Sequence, residues 1–305
     1  MRELVGECTN CQRPVYCEDG FLNGTVTEDR GLLCFECASP AASTAETRRF
    51  FILTDLEGPA GVDSFTQTRP VDGFPERIES ARKLLAGEVN ACIEGIRSVY
   101  PNSVVDVWDG HGPVGLYAED VVGGTYLREG RPYMRLEGYD ALLFVGQHAM
   151  AGTFHAPLNH TYSSKSVAYF RLNGVFIGEF GARALLAGTQ NVPTIYLTGD
   201  DKAALEAQVF IPDIETAVVK KGLGIEAAEH LEIEEARRVV REGAARAVRR
   251  LGEIQPFRGI AGPYVLEIGY LAPVGDEELP RGERVERINE RTVRIYADNL
   301  ADLPI

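Results

Sequence analysis

The sequence predicts an α/β fold, a mainly parallel sheet flanked by helices, preceded by a small cysteine-bearing module. Three observations predict it. From about Arg48 onward, short β-rich runs alternate with helical patterns, the order expected when helices cross over between parallel strands. Residues able to carry chemistry follow several of those runs directly, where such a sheet gathers its functional groups. Ahead of them, four cysteines read Cys8-x-x-Cys11 and Cys34-x-x-Cys37.

The cysteines come first along the chain. Each Cys-x-x-Cys knuckle supplies two thiolates on a tight turn, and two knuckles together complete the tetrahedral sulfur shell of a structural zinc. With 22 residues between the pairs, residues 1–40 have the spacing of a four-cysteine zinc ribbon. A segment of about 40 residues is close to the size at which a fold needs a metal or disulfides. A disulfide module is the lesser reading, because Cys92 is the only cysteine beyond this segment. Cys17 is left over, and the spacing leaves open whether it is a buried thiol or a replacement ligand.

Residues 41–47, small and polar, read as a linker, and 48–305 as one large domain. The chain carries 31 Lys and Arg against 45 Asp and Glu, a net charge of −14. That charge repels a phosphate backbone and argues against a nucleic-acid partner despite the ribbon. No run of 18 apolar residues spans a bilayer, so no membrane partner is expected, and Met1 to Val15 lack the basic-then-apolar order of a signal peptide. A cytoplasmic location is therefore expected, and thiols paired for metal agree with a reducing compartment.

Phe50 to Thr54 reads as a buried strand. Pro75 to Tyr100 has helical spacing, with Ile78, Ala81, Leu85, Val89, Cys92, Ile96 and Val99 near one stripe, which makes Cys92 a core residue. Further strands are predicted at Ser103–Trp108, Ala141–Val145, Val167–Leu172, Val175–Ile177 and Thr194–Thr198. Helices are predicted at Glu179–Ala187, Asp201–Phe210 and Ile233–Leu251. The last carries Arg237, Arg238, Arg241, Arg246, Arg249 and Arg250, which read as a solvated face or an oligomer contact. Two more strand-like runs close the chain, Tyr264–Ile268 and Thr292–Ala297.

Asp55-Leu56-Glu57-Gly58 follows the first of these strands, Asp109-Gly110-His111 the second and Gly146-Gln147-His148 the third. The carboxyl ends of strands form the ligand crevice of an open α/β sheet, so these segments are expected to meet. Glu179, where a strand gives way to a helix, enters from the next unit. One catalytic zinc needs three protein ligands, and a pair sharing a carboxylate needs about five. Asp55, Glu57, His111, His148 and Glu179 make five. Singly, each has a structural use as a cap, a satisfied core histidine or the acidic first turn of a helix. Their joint placement at strand ends favours a metal site.

From Phe51 to about Val240 the chain resembles the DppA-type D-aminopeptidases, a family of dizinc metallopeptidases. The matching stretches are Thr54-Asp55-Leu56-Glu57-Gly58, Asp109-Gly110-His111, Gly146-Gln147-His148-Ala149, Asn159-His160, Gly178-Glu179-Phe180-Gly181, Gly199-Asp200-Asp201 and Ala217-Val218-Val219-Lys220. The resemblance implies two catalytic zinc ions bridged by Asp55, with Glu57 and His111 completing one shell and His148 and Glu179 the other. It implies that His160 moves protons or attacks beside the metals, and that metal-activated water cleaves the N-terminal residue, D-alanine among them, from short peptides. A ring-like homo-oligomer is also implied. Asp200 or Asp201 is a candidate for holding the substrate amino group, although a helix N-cap is the better reading.

Departures from the family are specific. The ribbon is an addition, Arg183 stands where relatives carry Asn, and His160 is flanked by Asn159 and Thr161 rather than Ser. His155 is expected in a loop and His230 on a surface helix. Two competing functions remain, a non-catalytic zinc-binding adaptor and another dizinc hydrolase such as a phosphoesterase.

Overall fold

The computed structural model describes residues 2–9, 12–18, 20–27, 31–35, 47–71, 75–280 and 284–305. Cys11, Cys37 and linker residues 41–46 lie outside them. The chain divides into two compact units, residues 1–46 and 47–305.

In the first unit, β1 (Arg2–Glu7), β2 (Pro14–Glu18) and β3 (Phe21–Leu22) form an antiparallel sheet, and β4 (Gly24–Val26) pairs with β5 (Leu32–Cys34). Cys8 is buried in the turn after β1. Its N–H donates to the Arg13 carbonyl at 2.8 Å and its own carbonyl accepts from Gln12 N–H at 2.8 Å, which tightens the turn. The Thr9 N–H donates to the Leu32 carbonyl at 2.8 Å, tying this turn to the strand that ends in Cys34. Cys17 is half-buried within β2, opposite Leu22.

The second unit is built on a seven-stranded sheet. In chain order its elements are β6 (Arg49–Thr54), α1 (Phe65–Thr68), α2 (Pro75–Val99), β7 (Val104–Asp109), β8 (Thr125–Leu127), β9 (Ala141–Gln147), β10 (Val167–Leu172) and β11 (Val175–Phe176). There follow α3 (Glu179–Thr189), β12 (Thr194–Asp200), α4 (Asp201–Phe210), β13 (Glu215–Gly224), β14 (Ala227–His230), α5 (Ile233–Arg249), β15 (Tyr264–Tyr270), β16 (Arg284–Asn289) and β17 (Thr292–Ala297). The sheet order is β14-β13-β12-β9-β6-β7-β8, parallel throughout except for the β14 hairpin edge. Its interior strand β6 has Phe50, Phe51, Ile52 and Leu53 fully buried, the continuous apolar run of a strand covered on both faces. Helix α2 packs on α5, and α3 on α4. The α2 stripe lies in the core, Cys92 with it.

One expectation is sharpened and one is corrected. The runs at Val167, Val175, Tyr264 and Thr292 leave the main sheet and form a second, antiparallel one, ordered β11-β10-β15-β17-β16. Its first hairpin turns at Asn173-Gly174, both with positive φ, the pairing that favours a two-residue hairpin turn over a crossover. His230 ends strand β14 rather than sitting on a surface helix, because residues 227–230 pair antiparallel with 220–224. The arginines of α5 lie mostly on a solvated face. Arg237 pairs with Glu234, Arg238 with Glu235 and Glu242, and Arg246 with Glu215. Among the described residues no helix is long and apolar enough to cross a membrane.

Candidate active site

Strands β9, β6 and β7 are adjacent, with Thr54 registered opposite both Val145 and Asp109. Their carboxyl ends therefore stop at one level, and the chain leaves each directly into a chemistry-bearing segment. Asp55 and Glu57 follow β6, His111 follows β7 and His148 follows β9. The fit is close enough to require glycine. A Cβ on Gly58 would lie 2.1 Å from the Gly146 carbonyl carbon, and Gly146 itself has φ of +79°, a conformation that side chains resist. Gly58 N–H donates to that same carbonyl group at 2.8 Å.

These ends bring together all five predicted ligand residues, with His160. His111 Nε2 stands 3.3 Å from Glu57 Oε1, and His148 Nε2 stands 3.3 Å from Asp55 Oδ2 and 3.6 Å from Glu179 Oε1. His160 Nε2 is 3.8 Å from Glu179 Oε1, and its ring stacks on His148 with centroids 4.0 Å apart. Ligand-type atoms of Asp55, Glu57 and His148, and of His148, His160 and Glu179, form two clusters each within 4.8 Å. His160, for which the family resemblance implies a catalytic role, thus also sits where a ligand would. All of these groups line, or lie just beneath, an open crevice of about 650 Å³.

The imidazoles share one orientation. Nδ1 of His111 faces the Pro113 carbonyl at 2.5 Å, that of His148 the Ala149 carbonyl at 2.9 Å and that of His160 the Leu158 carbonyl at 2.8 Å. A carbonyl can only accept, so each Nδ1 carries a proton and each ring turns its Nε2 toward the carboxylates. The space between those Nε2 atoms and the carboxylates favours positive charge, either a proton on the ring or a metal ion taking the lone pair. His148 Nε2 and Glu57 Oε2 are buried without a hydrogen-bond partner among the described residues. Imidazole and carboxylate donors, oriented from behind by backbone carbonyls, suit zinc.

The electrostatics agree with a cavity made for positive charge. Burial, with the Glu57 charge added, pushes Asp55 up to about 7. Burial opposes charge on His111 as well, but Glu57 overrides it and raises that histidine to about 9. His148 is held well above its usual range by Asp55 and Glu179 in spite of burial. Burial and the neighbouring His148 hold His160 below the usual range.

Supporting residues outnumber the candidate ligands. Asp109 accepts from the N–H groups of His111 (3.1 Å), Gly115 (2.7 Å) and Leu116 (3.1 Å), which shapes the His111 turn. Tyr162 N–H donates to Glu179 Oε1 at 2.8 Å. Asn159 accepts from Gly152 N–H and Thr161 from Ala151 N–H, so the two residues flanking His160 tie down its loop. In that loop His155, Leu158 and Tyr162 all have positive φ, strain of the kind held at functional sites. His155 itself stacks on Phe154 away from the cluster.

The loop bearing Asp55 and Glu57 is pinned from behind. Buried Lys220 donates through Nζ to the carbonyls of Glu57, Pro59 and Val62. Glu88 accepts from Ala60 N–H at 2.8 Å, and His230 Nδ1 from Gly61 N–H at 2.9 Å. Sequence reasoning gave none of these three a role. The only available signal was a lysine closing the apolar run Ala217-Val218-Val219. Asp200 accepts from the N–H groups of Lys202 and Ala203 as the α4 N-cap, and Asp201 accepts from Gly222 N–H. Neither lines the crevice.

Fold and site together define a metal-dependent hydrolase of the α/β class. A family model for D-aminopeptidase matches residues 49–304. The chain belongs to the D-aminopeptidase family and is a hydrolase of peptide bonds. It is 30% identical over 221 residues to a D-aminopeptidase of Bacillus subtilis (strain 168), covering 68% of this chain and 77% of that one. It is also similar to the solved structure of the Zn-dependent D-aminopeptidase DppA from Bacillus subtilis, a self-compartmentalizing protease. That match has a TM-score of 0.74 at 26% identity and covers 83% of this chain and 93% of the other.

Proposed function

We propose that this chain is a zinc-dependent aminopeptidase that removes N-terminal residues, D-alanine among them, from short peptides. Asp55, Glu57, His111, His148 and Glu179 would hold two zinc ions. One observation carries the reading: three histidines with Nδ1 fixed on backbone carbonyls turn their Nε2 atoms toward buried carboxylates. Zinc bound there supplies Lewis acidity toward the scissile carbonyl and lowers the pKa of water.

The chain's own residues do the rest. His160, kept neutral by burial and by His148, can take a proton at Nε2 and return it to the leaving amine, while its Nδ1–H stays anchored on Leu158. Tyr162 N–H holds the Glu179 carboxylate in place.

The first unit takes a structural zinc on Cys8, Cys11, Cys34 and Cys37, with the closed turn at Cys8 as support. A homo-oligomer is the expected working form, by likeness to the self-compartmentalizing relative, and the cytoplasm is its expected location from the sequence alone.

The test is hydrolysis of D-alanyl and L-alanyl dipeptides by purified protein, before and after chelation and after zinc, manganese or cobalt is restored. Cleavage that disappears with chelation and returns with metal is expected. No cleavage by protein whose crevice is loaded, as measured by elemental analysis, would leave the zinc-binding adaptor in its place.

A further inference from the structure

Arg183 is a buried residue of this crevice with two donor atoms unused among the described residues. It stands one turn along α3 from Glu179 and is 5% exposed. Its Nη1 lies 3.2 Å from Glu179 Oε2, yet Nε and Nη1 have no hydrogen-bond acceptor among the described residues. The guanidinium is walled by the rings of Trp108, Tyr133 and Tyr162, at 5.9, 5.6 and 5.4 Å from their centroids. A buried guanidinium is costly unless it is paired and its donors are satisfied. Glu179 supplies only part of this, because its Oε1 already receives Tyr162 N–H and faces His148 and His160.

The described residues provide no acceptor for these donors, and Arg183 lines the crevice from which one would arrive. A planar guanidinium matches a carboxylate with two parallel hydrogen bonds, and aromatic walls strengthen such a pair by excluding water. Arg131 and Lys165, both exposed on the same crevice, add positive charge along the approach.

Position selects which carboxylate. Glu179 touches both the histidine cluster and Arg183, so a single carboxylate group separates the reacting centre from the guanidinium. In a dipeptide the terminal carboxylate carbon lies about 4 Å from the scissile carbonyl carbon, and each further residue moves it about 3.5 Å away. We infer that Arg183 is a specificity-determining residue that reads a carboxylate on the second residue of the substrate, which favours dipeptides with a free C-terminus. This rests on the aminopeptidase reading above.

The experiment compares wild type, Arg183→Met and Arg183→Lys on D-alanyl-D-alanine, its C-terminal amide, and D-alanyl-D-glutamic acid diamide, in which both carboxylates are amidated. D-alanyl-D-glutamic acid α-amide, with the side-chain carboxylate free, separates the two sources of the anion. Wild type is expected to favour the free dipeptide over its amide about 100-fold in kcat/KM, chiefly through KM. The Arg183→Met change is expected to bring that ratio near one, and Arg183→Lys to leave it intermediate, with zinc per chain unchanged in both. Preference for the α-amide with a free side chain over the diamide, without preference for the free dipeptide over its amide, would overturn the terminal assignment and give the anion to the side chain.

Calorimetric binding of the dipeptide and its amide reads the site without turnover. If nothing is cleaved, tighter binding of the free dipeptide that disappears in Arg183→Met upholds the anion site while the aminopeptidase reading fails. Equal binding and cleavage of acid and amide by wild type would overturn the inference. So would loss of zinc in Arg183→Met and Arg183→Lys, which would make Arg183 a positioning residue for Glu179.

Discussion

The loop from Asp55 to Asp63 has two sides built from similar residue types to opposite ends. Toward the crevice, Asp55 and Glu57 face the Nε2 atoms of His148 and His111, and His148 Nε2 has no hydrogen-bond partner among the described residues. Behind it, Lys220 reaches three carbonyls, Glu88 takes Ala60 N–H, and His230 uses both ring nitrogens, Nδ1 on Gly61 N–H and Nε2 3.2 Å from Asp63. A histidine with both nitrogens engaged within the protein is scaffold; one with Nδ1 on a carbonyl and Nε2 facing a cluster of carboxylates is a candidate ligand. What separates site from support is the acceptor left over, and residue type alone would not have shown it.

The sharpest way to break this contrast is at its front. Substituting His148 by Ala removes the one imidazole that touches both Asp55 and Glu179, and peptide hydrolysis is expected to fall by about a thousandfold or more, read as kcat/KM. The fold should remain, since the backbone of β9 is unaffected, and circular dichroism checks that.

At the rear the effect is on stability. Lys220→Met leaves the carbonyls of Glu57, Pro59 and Val62 without their donor, and a loss of about 4 kcal/mol is expected in denaturant unfolding. Activity falls with it, because Glu57 is released from behind.

Glu88 gives the comparison a pH axis. Burial raises its pKa to about 7, with the Ala60 N–H and Lys220 opposing. A raised carboxyl keeps its proton in the folded state after the unfolded chain has lost it near 4.5. Its contribution is therefore fully present below about pH 4.5 and is lost as pH rises to about 7. Glu88→Gln keeps the acceptor and removes the titration. The stability of wild type relative to this variant is expected to decline by up to about 3 kcal/mol between about pH 4.5 and 7, with no further change above. A pH-independent difference would mean that Glu88 is not the proton holder.

The smallest effect is expected from His230→Ala, about 1 kcal/mol for the Gly61 and Asp63 contacts, with crevice metal retained. Loss of metal there would erase the distinction between front and rear.

Much of this was legible in the sequence, for physical reasons that differ by element. Strand β6 announced itself because a strand buried on both faces must be continuously apolar, and α2 because its stripe has the period of a helix. The segments Asp55-x-Glu57, Asp109-Gly-His111 and Gln147-His148 pointed to one crevice because a parallel sheet aligns its carboxyl ends. The second sheet was not legible as separate, since alternation in Val167–Leu172 says strand without naming its neighbour; only Asn173-Gly174 hinted at a local hairpin. The rear of the loop was hidden for another reason. Lys220, Glu88 and His230 act through backbone groups of residues far along the chain, and a backbone contact leaves no mark on the partner's identity. Arg183 was visible as a departure from relatives, but its aromatic walls come from Trp108, Tyr133 and Tyr162, which only the fold brings together.

The most direct test is zinc per chain by elemental analysis on wild type, His148→Ala and His230→Ala, prepared alike. The account predicts close to three in wild type, one in the ribbon and two in the crevice, with loss from the crevice in His148→Ala and none in His230→Ala. A count that stays the same in His148→Ala would contradict it.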